Sequence, residues 1–177
     1  GDVGYNGHKI LKTPHLDAMA GAGLRFNRFY SSSPVCSPTR GSCLTGRHPY
    51  RYGILYANAG GPTALSRYLL PKEEITLAEV LSGRGYRTGH FGKWHLGDFE
   101  GKTRSAPSDH GFDEWFSTAR KVATLNPDAA SYRHNGNKVA GPLKGDDSKI
   151  IMDKAIPFIR SAVKQKKPFF AVIWFHT

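Results

Sequence analysis

Residues 169–175, Phe-Phe-Ala-Val-Ile-Trp-Phe, form an unbroken apolar run. The run is too short to cross a bilayer as a helix, and it lacks the polar alternation of a strand with one wet face. It therefore predicts a strand buried on both sides, as in a sheet covered by helices. Upstream, residues 148–164 carry Ile151, Ala155, Phe158, Ile159 and Ala162 at helical spacing, so one stripe of that helix faces a core. Pro157 within it predicts a kink or an early break. The rest of the chain alternates in the same way. Residues 15–22 read as a helix ending at Gly23, and residues 24–30 as a strand running into the loop at 31–34. Residues 76–82 read as a helix with a capping box from Thr76 and Glu79, and residues 86–91 as a short strand. Such alternation predicts an α/β fold with a largely parallel sheet flanked by helices. Residues 126–145, rich in Asn, Gly, Asp and Pro, read as a surface insertion near a substrate.

A hydrophobic share of 39% with 22% charged residues suits a globular chain. No run of about 18 apolar residues exists, so no membrane span is expected. The formal charge of +11, from 25 Lys and Arg against 14 Asp and Glu, attracts polyanions. A sulfated polysaccharide is one such partner and nucleic acid another. The aromatics are dispersed, without a recognition helix or RNA-binding motif, which argues against nucleic acid.

The two cysteines, Cys36 and Cys43, are seven residues apart. On one helix they would be separated by roughly 10 Å, too far for a disulfide. Cys43 reads as a small buried apolar residue. Cys36 opens the string Cys36-Ser37-Pro38-Thr39-Arg40-Gly41-Ser42-Cys43-Leu44-Thr45-Gly46-Arg47. Pro38 suits the first turn of a helix over residues 38–44, ending at Gly46. Cys36 would then stand at or just before a helix N-terminus, with Arg40 about one turn on, a place that welcomes a thiolate, an oxyanion or a sulfate. A lone cysteine beside a loop is more often structural, and it is the whole string that shifts the balance. The second dense patch is Gly85-Tyr86-Arg87-Thr88-Gly89-His90-Phe91-Gly92-Lys93-Trp94-His95-Leu96-Gly97. In an extended segment Lys93 and His95 point to the same side, where an ammonium and an imidazole can bind an oxyanion and move a proton. A basic loop on a basic protein is the plainer alternative.

Both strings resemble signatures of the type I, formylglycine-dependent sulfatases, arylsulfatase-like members of the alkaline phosphatase superfamily. The first matches Cys-x-Pro-x-Arg, and the second matches Gly-Tyr-x-Thr followed by Gly-Lys-Trp-His-Leu-Gly. Three weaker stretches agree: Lys12 to Asp17, with Thr13 as N-cap and Pro14 first in the helix; Asp109 to Phe116; and Lys167 to His176. Gly41 and Cys43 depart from the family, which more often has Ala and an apolar residue there.

The resemblance implies a mixed, largely parallel sheet flanked by helices and the hydrolysis of a sulfate ester to alcohol and sulfate. Cys36, oxidised to formylglycine by a maturation enzyme, would supply the nucleophile and one ligand of a divalent metal, Ca2+ in preference to Mg2+. Arg40 would hold the hydrated aldehyde in its ionised form. Lys93 would bind sulfate oxygens, and His95 would hydrogen-bond the diol and serve as the base that expels sulfate. His176 would be a neighbour of the site. Residues 1–177 would be part of a single catalytic domain cut at both ends, with the remaining metal ligands outside them and Asp2 only a turn residue. Tyr50-Arg51-Tyr52 and residues 126–145 would offer contacts to a sugar. The substrate would be a sulfated small molecule or sulfated polysaccharide, met in a periplasmic, extracellular or lysosome-like compartment. Two rivals remain: a formylglycine-dependent phosphodiester or phosphonate hydrolase, and a non-catalytic binder of sulfated glycans.

Overall fold

The computed structural model describes residues 2–57 and 69–176. They divide into two compact units, Gly1–Ser31 and Ser32–Thr177. In the first, a 3-10 turn at Gly4–Asn6 and helix α1 (Pro14–Ala22) are tied by side chains. Gly4 N donates to Thr13 Oγ1 and Tyr5 N to Asp17 Oδ1, both at 2.8 Å. Thr13 occupies the N-cap position ahead of Pro14, as expected, yet its hydroxyl donates to Asp17 Oδ1 at 2.9 Å rather than capping the backbone. Residues 24–30 are not the strand expected of them. No strand among the described residues pairs with them, and Leu24, Phe26, Phe29 and Tyr30 are exposed. Apolar spacing makes a strand only where a neighbouring ladder satisfies the backbone.

The second unit is built on a five-stranded sheet in the order β4-β3-β2-β1-β5. Strand β1 (Arg87–Lys93) runs parallel to β2 (Glu114–Thr118) over five registered pairs and to β5 (Phe169–Trp174) over six. Strands β3 (Tyr132–His134) and β4 (Asn137–Lys138) extend it by antiparallel ladders of three and two pairs. The sheet is therefore mixed, with its longer ladders parallel. Side chains alternate between two cores. On one face Val172, with Phe170 and Trp174 beside it, packs with Trp94, Phe112, Leu44 and Ala78, under helices α2 (Cys36–Thr45), α3 (Pro49–Tyr52) and α4 (Leu77–Ser82). On the other, Ala171 and Ile173 join Phe91, Phe116, Tyr132, Ile151, Ala155 and Phe158 beneath α5 (Asp147–Lys164). Helices on both faces explain why β1 and β2, though they carry polar residues, are buried along nearly their whole length.

The capping box of α4 forms as expected: Glu79 N donates to Thr76 Oγ1 and Thr76 N to Glu79 Oε2. Three expectations need correction. Helix α5 is not broken by Pro157, because Asp153 and Pro157 lie on its exposed side, where water can solvate the carbonyl that Pro157 leaves without a donor. Strand β5 is not buried on both faces along its length. It is the edge strand of the described sheet, only Val172 in it is fully buried, and Phe169 is 37% exposed. Residues 126–145 are not simply a surface insertion, since they hold β3 and β4. The hairpin turns at Asn135 (φ 50°) and Gly136 (φ 87°), the Asn-Gly pair that a two-residue turn favours.

Candidate active site

Three parallel strands bring their carboxyl ends to one edge of the sheet. The chain leaves β1 for β2 on one side and then crosses through α5 to β5 on the other. Neighbouring crossovers in opposite directions open a crevice at that edge, the usual place for a ligand in such sheets. Lys93 ends β1 there, and Trp94 N and His95 N donate to Thr118 O (2.9 Å), at the end of β2, and Ala119 O (3.1 Å), just past it. His95 stands at φ 59°, left-handed backbone that a non-glycine residue adopts only at some cost. Lys93 and His95 thus come together through a turn, not through the extended segment expected.

Helix α2 approaches the same edge. It starts at Cys36 itself, two residues earlier than expected, with no side chain capping its start, and it ends at Gly46. Lys93 stands close enough to Cys36 for the thiol to act on its ammonium. One turn along α2, Arg40 Nη1 donates to Lys93 O at 2.6 Å, and its guanidinium lies 4.6 Å from the centre of the Trp174 ring. The structure therefore brings Cys36, Arg40, Lys93 and His95 to one place. Cys36 and Cys43 are both free thiols. Cys43 is exposed, not buried, because it falls between buried Ser42 and Leu44 on the outward side of α2.

Gly41 has a steric reason. A Cβ there would sit 2.8 Å from the Tyr52 ring. Tyr52 is buried and its hydroxyl donates to Pro38 O, with Ser42 Oγ 2.9 Å away. Tyr52 thus braces the backbone of α2 rather than contacting a sugar, whereas Tyr50 is 76% exposed.

Electrostatics sharpen the picture. Lys93 and His95 are 8% and 5% exposed. Burial, followed by the charges of Lys93, Arg40 and Arg120, lowers the His95 pKa to about 4, so the ring is neutral at physiological pH. Burial also lowers Lys93, against the pull of Cys36, and takes Arg40 to about 10, which leaves it charged. Arg40 Nε and both ring nitrogens of His95 are buried with no hydrogen-bond partner among the described residues. Leaving such groups unpaired costs about 1–3 kcal/mol each, which a fold tolerates where a polar guest is to be met.

His176 lies one layer behind. Its Nδ1 is 2.6 Å from Asp147 Oδ2 and its Nε2 is 2.7 Å from Thr118 Oγ1, while the Tyr132 hydroxyl donates to the other oxygen of Asp147. Burial lowers the His176 pKa more than Asp147 raises it. This chain of contacts ties α5 to the end of β2. Sequence reasoning missed Asp147 and Thr118, since the pairing is purely tertiary. It also passed over Arg120 and Lys121, although two adjacent cations just past an apolar segment were a visible signal. His110, in the stretch 109–116, packs against Trp94 and lies 2.8 Å from Ser105 Oγ, so that stretch supports the core instead of facing the crevice.

The residues present fit the oxidised form of Cys36, because the unpaired nitrogens and cations around it suit an oxygen-rich group. They do not make a calcium site. Among the described residues no three His, Cys, Asp or Glu side chains gather, and the charged neighbours of Cys36 are cations.

An α/β sheet with a basic, partly unpaired cluster at its carboxyl edge is suited to holding an anion, and comparison makes the family specific. The model of the sulfatase family matches residues 1–177, and the chain belongs to that family. It is 43% identical to mouse N-acetylgalactosamine-6-sulfatase over 122 residues, 67% of this chain and 23% of that protein. Human arylsulfatase A is 52% identical over 97 residues, 55% of this chain and 18% of that protein. Among solved structures, Ps i-CgsB in complex with k-i-k-neocarrahexaose superposes with a TM-score of 0.82 at 26% identity, covering 99% of this chain and 42% of that one. A protein solved with its substrate D-glucosamine-2-N,6-O-disulfate gives 0.72 at 26% identity, covering 96% and 30%. The chain thus spans less than half the length of each of these relatives. No described helix is long and apolar enough to cross a membrane.

Proposed function

We propose that the protein carrying this chain hydrolyses sulfate esters, with residue 36, oxidised from cysteine to formylglycine, as nucleophile. The carrying observation is that buried Lys93 and His95 and half-buried Arg40 gather at the first residue of an uncapped helix while leaving nitrogens unpaired. Formylglycine supplies, once hydrated, a hydroxyl able to attack sulfur. Lys93 holds the sulfate oxygens, and its charge acts strongly because the site is nearly dry. Arg40 is fixed by Lys93 O and the Trp174 face, so its charge is in place before substrate arrives. His95, neutral and with both nitrogens free, can accept a proton. An arriving sulfate offsets the surrounding cations and raises its basicity.

A divalent cation, calcium before magnesium, enters this reading only as a partner of the oxidised residue 36, and no step is derived through it. The substrate class is a sulfated saccharide or sulfated small molecule, supported by the +11 charge and by the sugar complexes of the structural relatives. The reading extends to a maturation enzyme acting on Cys36 and to a periplasmic, extracellular or lysosome-like setting. The test is Cys36→Ala with an aryl sulfate and an aryl phosphate diester as paired substrates. Loss of aryl sulfate turnover in a variant of unchanged melting temperature supports the reading. Near-normal turnover removes residue 36 from the mechanism, and faster diester than sulfate hydrolysis by the unaltered protein favours the phosphodiesterase rival.

A further inference from the structure

Immediately beside the crevice lies a cleft of about 350 Å3 that the proposed chemistry does not use, lined by Asp98, Phe99, Glu100, Arg120, Lys121 and Arg133, among others. The sheet edge sets its position. The hydrogen bonds from Trp94 N and His95 N to Thr118 O and Ala119 O hold the segment after β2 alongside the segment after β1. Arg120 and Lys121 therefore leave the sheet where Lys93 and His95 do. Arg133 reaches the cleft from β3, where it pairs in register with Ser117.

The cleft has the build of a ligand subsite. Phe99, packed 4.9 Å from the Trp115 ring, gives it an apolar wall, and the cations line the same cleft. Arg133 is preset, since its Nη1 donates to Ala130 O (2.7 Å) and Tyr132 O (3.0 Å). Lys121 is exposed and makes no ion pair among the described residues. The two acidic residues do not close the cleft. Asp98 lies 3.5 Å from Arg120, and Glu100, itself 71% exposed, lies 3.4 Å from Arg133. Pairs this long and this wet are weak and readily yield to a bidentate anion. The field is also continuous with the crevice: the Lys121 charge is felt at Lys93 and that of Arg120 at His95.

We propose that Arg120, Lys121 and Arg133 form a second anion-binding subsite, which holds another sulfate or carboxylate group of the same substrate molecule whose sulfate ester reaches Lys93. The favoured substrate is then a saccharide bearing at least two anionic groups, with a sugar face against Phe99. The inference rests on the sulfatase reading and deepens it.

Two measurements separate the fates of the two readings. Turnover of an aryl monosulfate, which has no second anion, tests the activity alone. Calorimetric binding to the Cys36→Ala form of the protein, with D-glucosamine-2-N,6-O-disulfate and D-glucosamine-6-sulfate as probes, tests the subsite even where nothing is turned over. The disulfated sugar is expected to bind at least tenfold tighter, and Lys121→Gln or Arg120→Gln to erase most of that preference. Lys121→Gln in the otherwise unaltered protein should weaken turnover of the disulfated sugar more than that of an aryl monosulfate. Equal binding of the two sugars, or a preference that survives both substitutions, overturns the subsite.

Discussion

At the scale of single residues, the site depends on side chains that never meet the substrate. Gly41 and Tyr52 are the clearest pair. Adding a methyl at residue 41 gains about 1 kcal/mol of helix propensity and collides with the Tyr52 ring at 2.8 Å. Overpacking of this kind costs about 1–3 kcal/mol, so Gly41→Ala should lower the urea midpoint, the reverse of what an exposed helix position would show. Tyr52→Phe, which removes the donor to Pro38 O and the contact with Ser42, should cost about 0.5–1.5 kcal/mol by the same assay. The sequence showed Gly41 as a departure and nothing more. Its reason lies eleven residues away in a ring that only the fold brings near.

At the scale of elements, helices α1, α2, α4 and α5 and the parallel strands β1 and β5 were legible because periodicity and caps are local, while β2 and α3 were not read. The capping box at Thr76, the helix ending at Gly46 and the amphipathic stripe of α5 all follow from spacing. What failed depended on neighbours. Residues 24–30 have strand-like composition and no ladder, and β5 has a fully apolar sequence but an edge position. The β3–β4 hairpin was hidden by its polar composition, though Asn135-Gly136 announced the turn. The tie between α5 and β2 was equally invisible. Asp147→Ala should leave the Tyr132 hydroxyl and His176 Nδ1 without their acceptor and lower stability by about 1–3 kcal/mol for each, read from denaturant melts. A loss below about 1 kcal/mol would mean that the contact does not join the elements.

At the scale of the molecule, buried histidines set the response to acid. Burial lowers the pKa of His90, His95, His110 and His176 below the ordinary histidine value. Each favours its neutral form when folded, so below about pH 6.5 the unfolded chain binds more protons. Their contribution is present above that pH and is lost as pH falls below it, for His95 down to about 4, with a slope of up to about 1.4 kcal/mol per pH unit for each group. The melting temperature should therefore fall steadily between pH 6.5 and 4. A flat profile would mean that these rings are not buried neutral.

The four residues that carry the resemblance, Cys36, Arg40, Lys93 and His95, lie on two separate elements and meet only at the sheet edge. Their meeting was legible only through the resemblance, and its means were not: a left-handed turn at His95 and Arg40 reaching across to Lys93 O. The central claim is that this meeting place works on an oxidised residue 36. The most direct measurement is the mass of the peptide containing that residue, taken from active protein purified from its own host. The account predicts an aldehyde or its hydrate at position 36. An unmodified thiol in folded protein that still hydrolyses sulfate esters would contradict it.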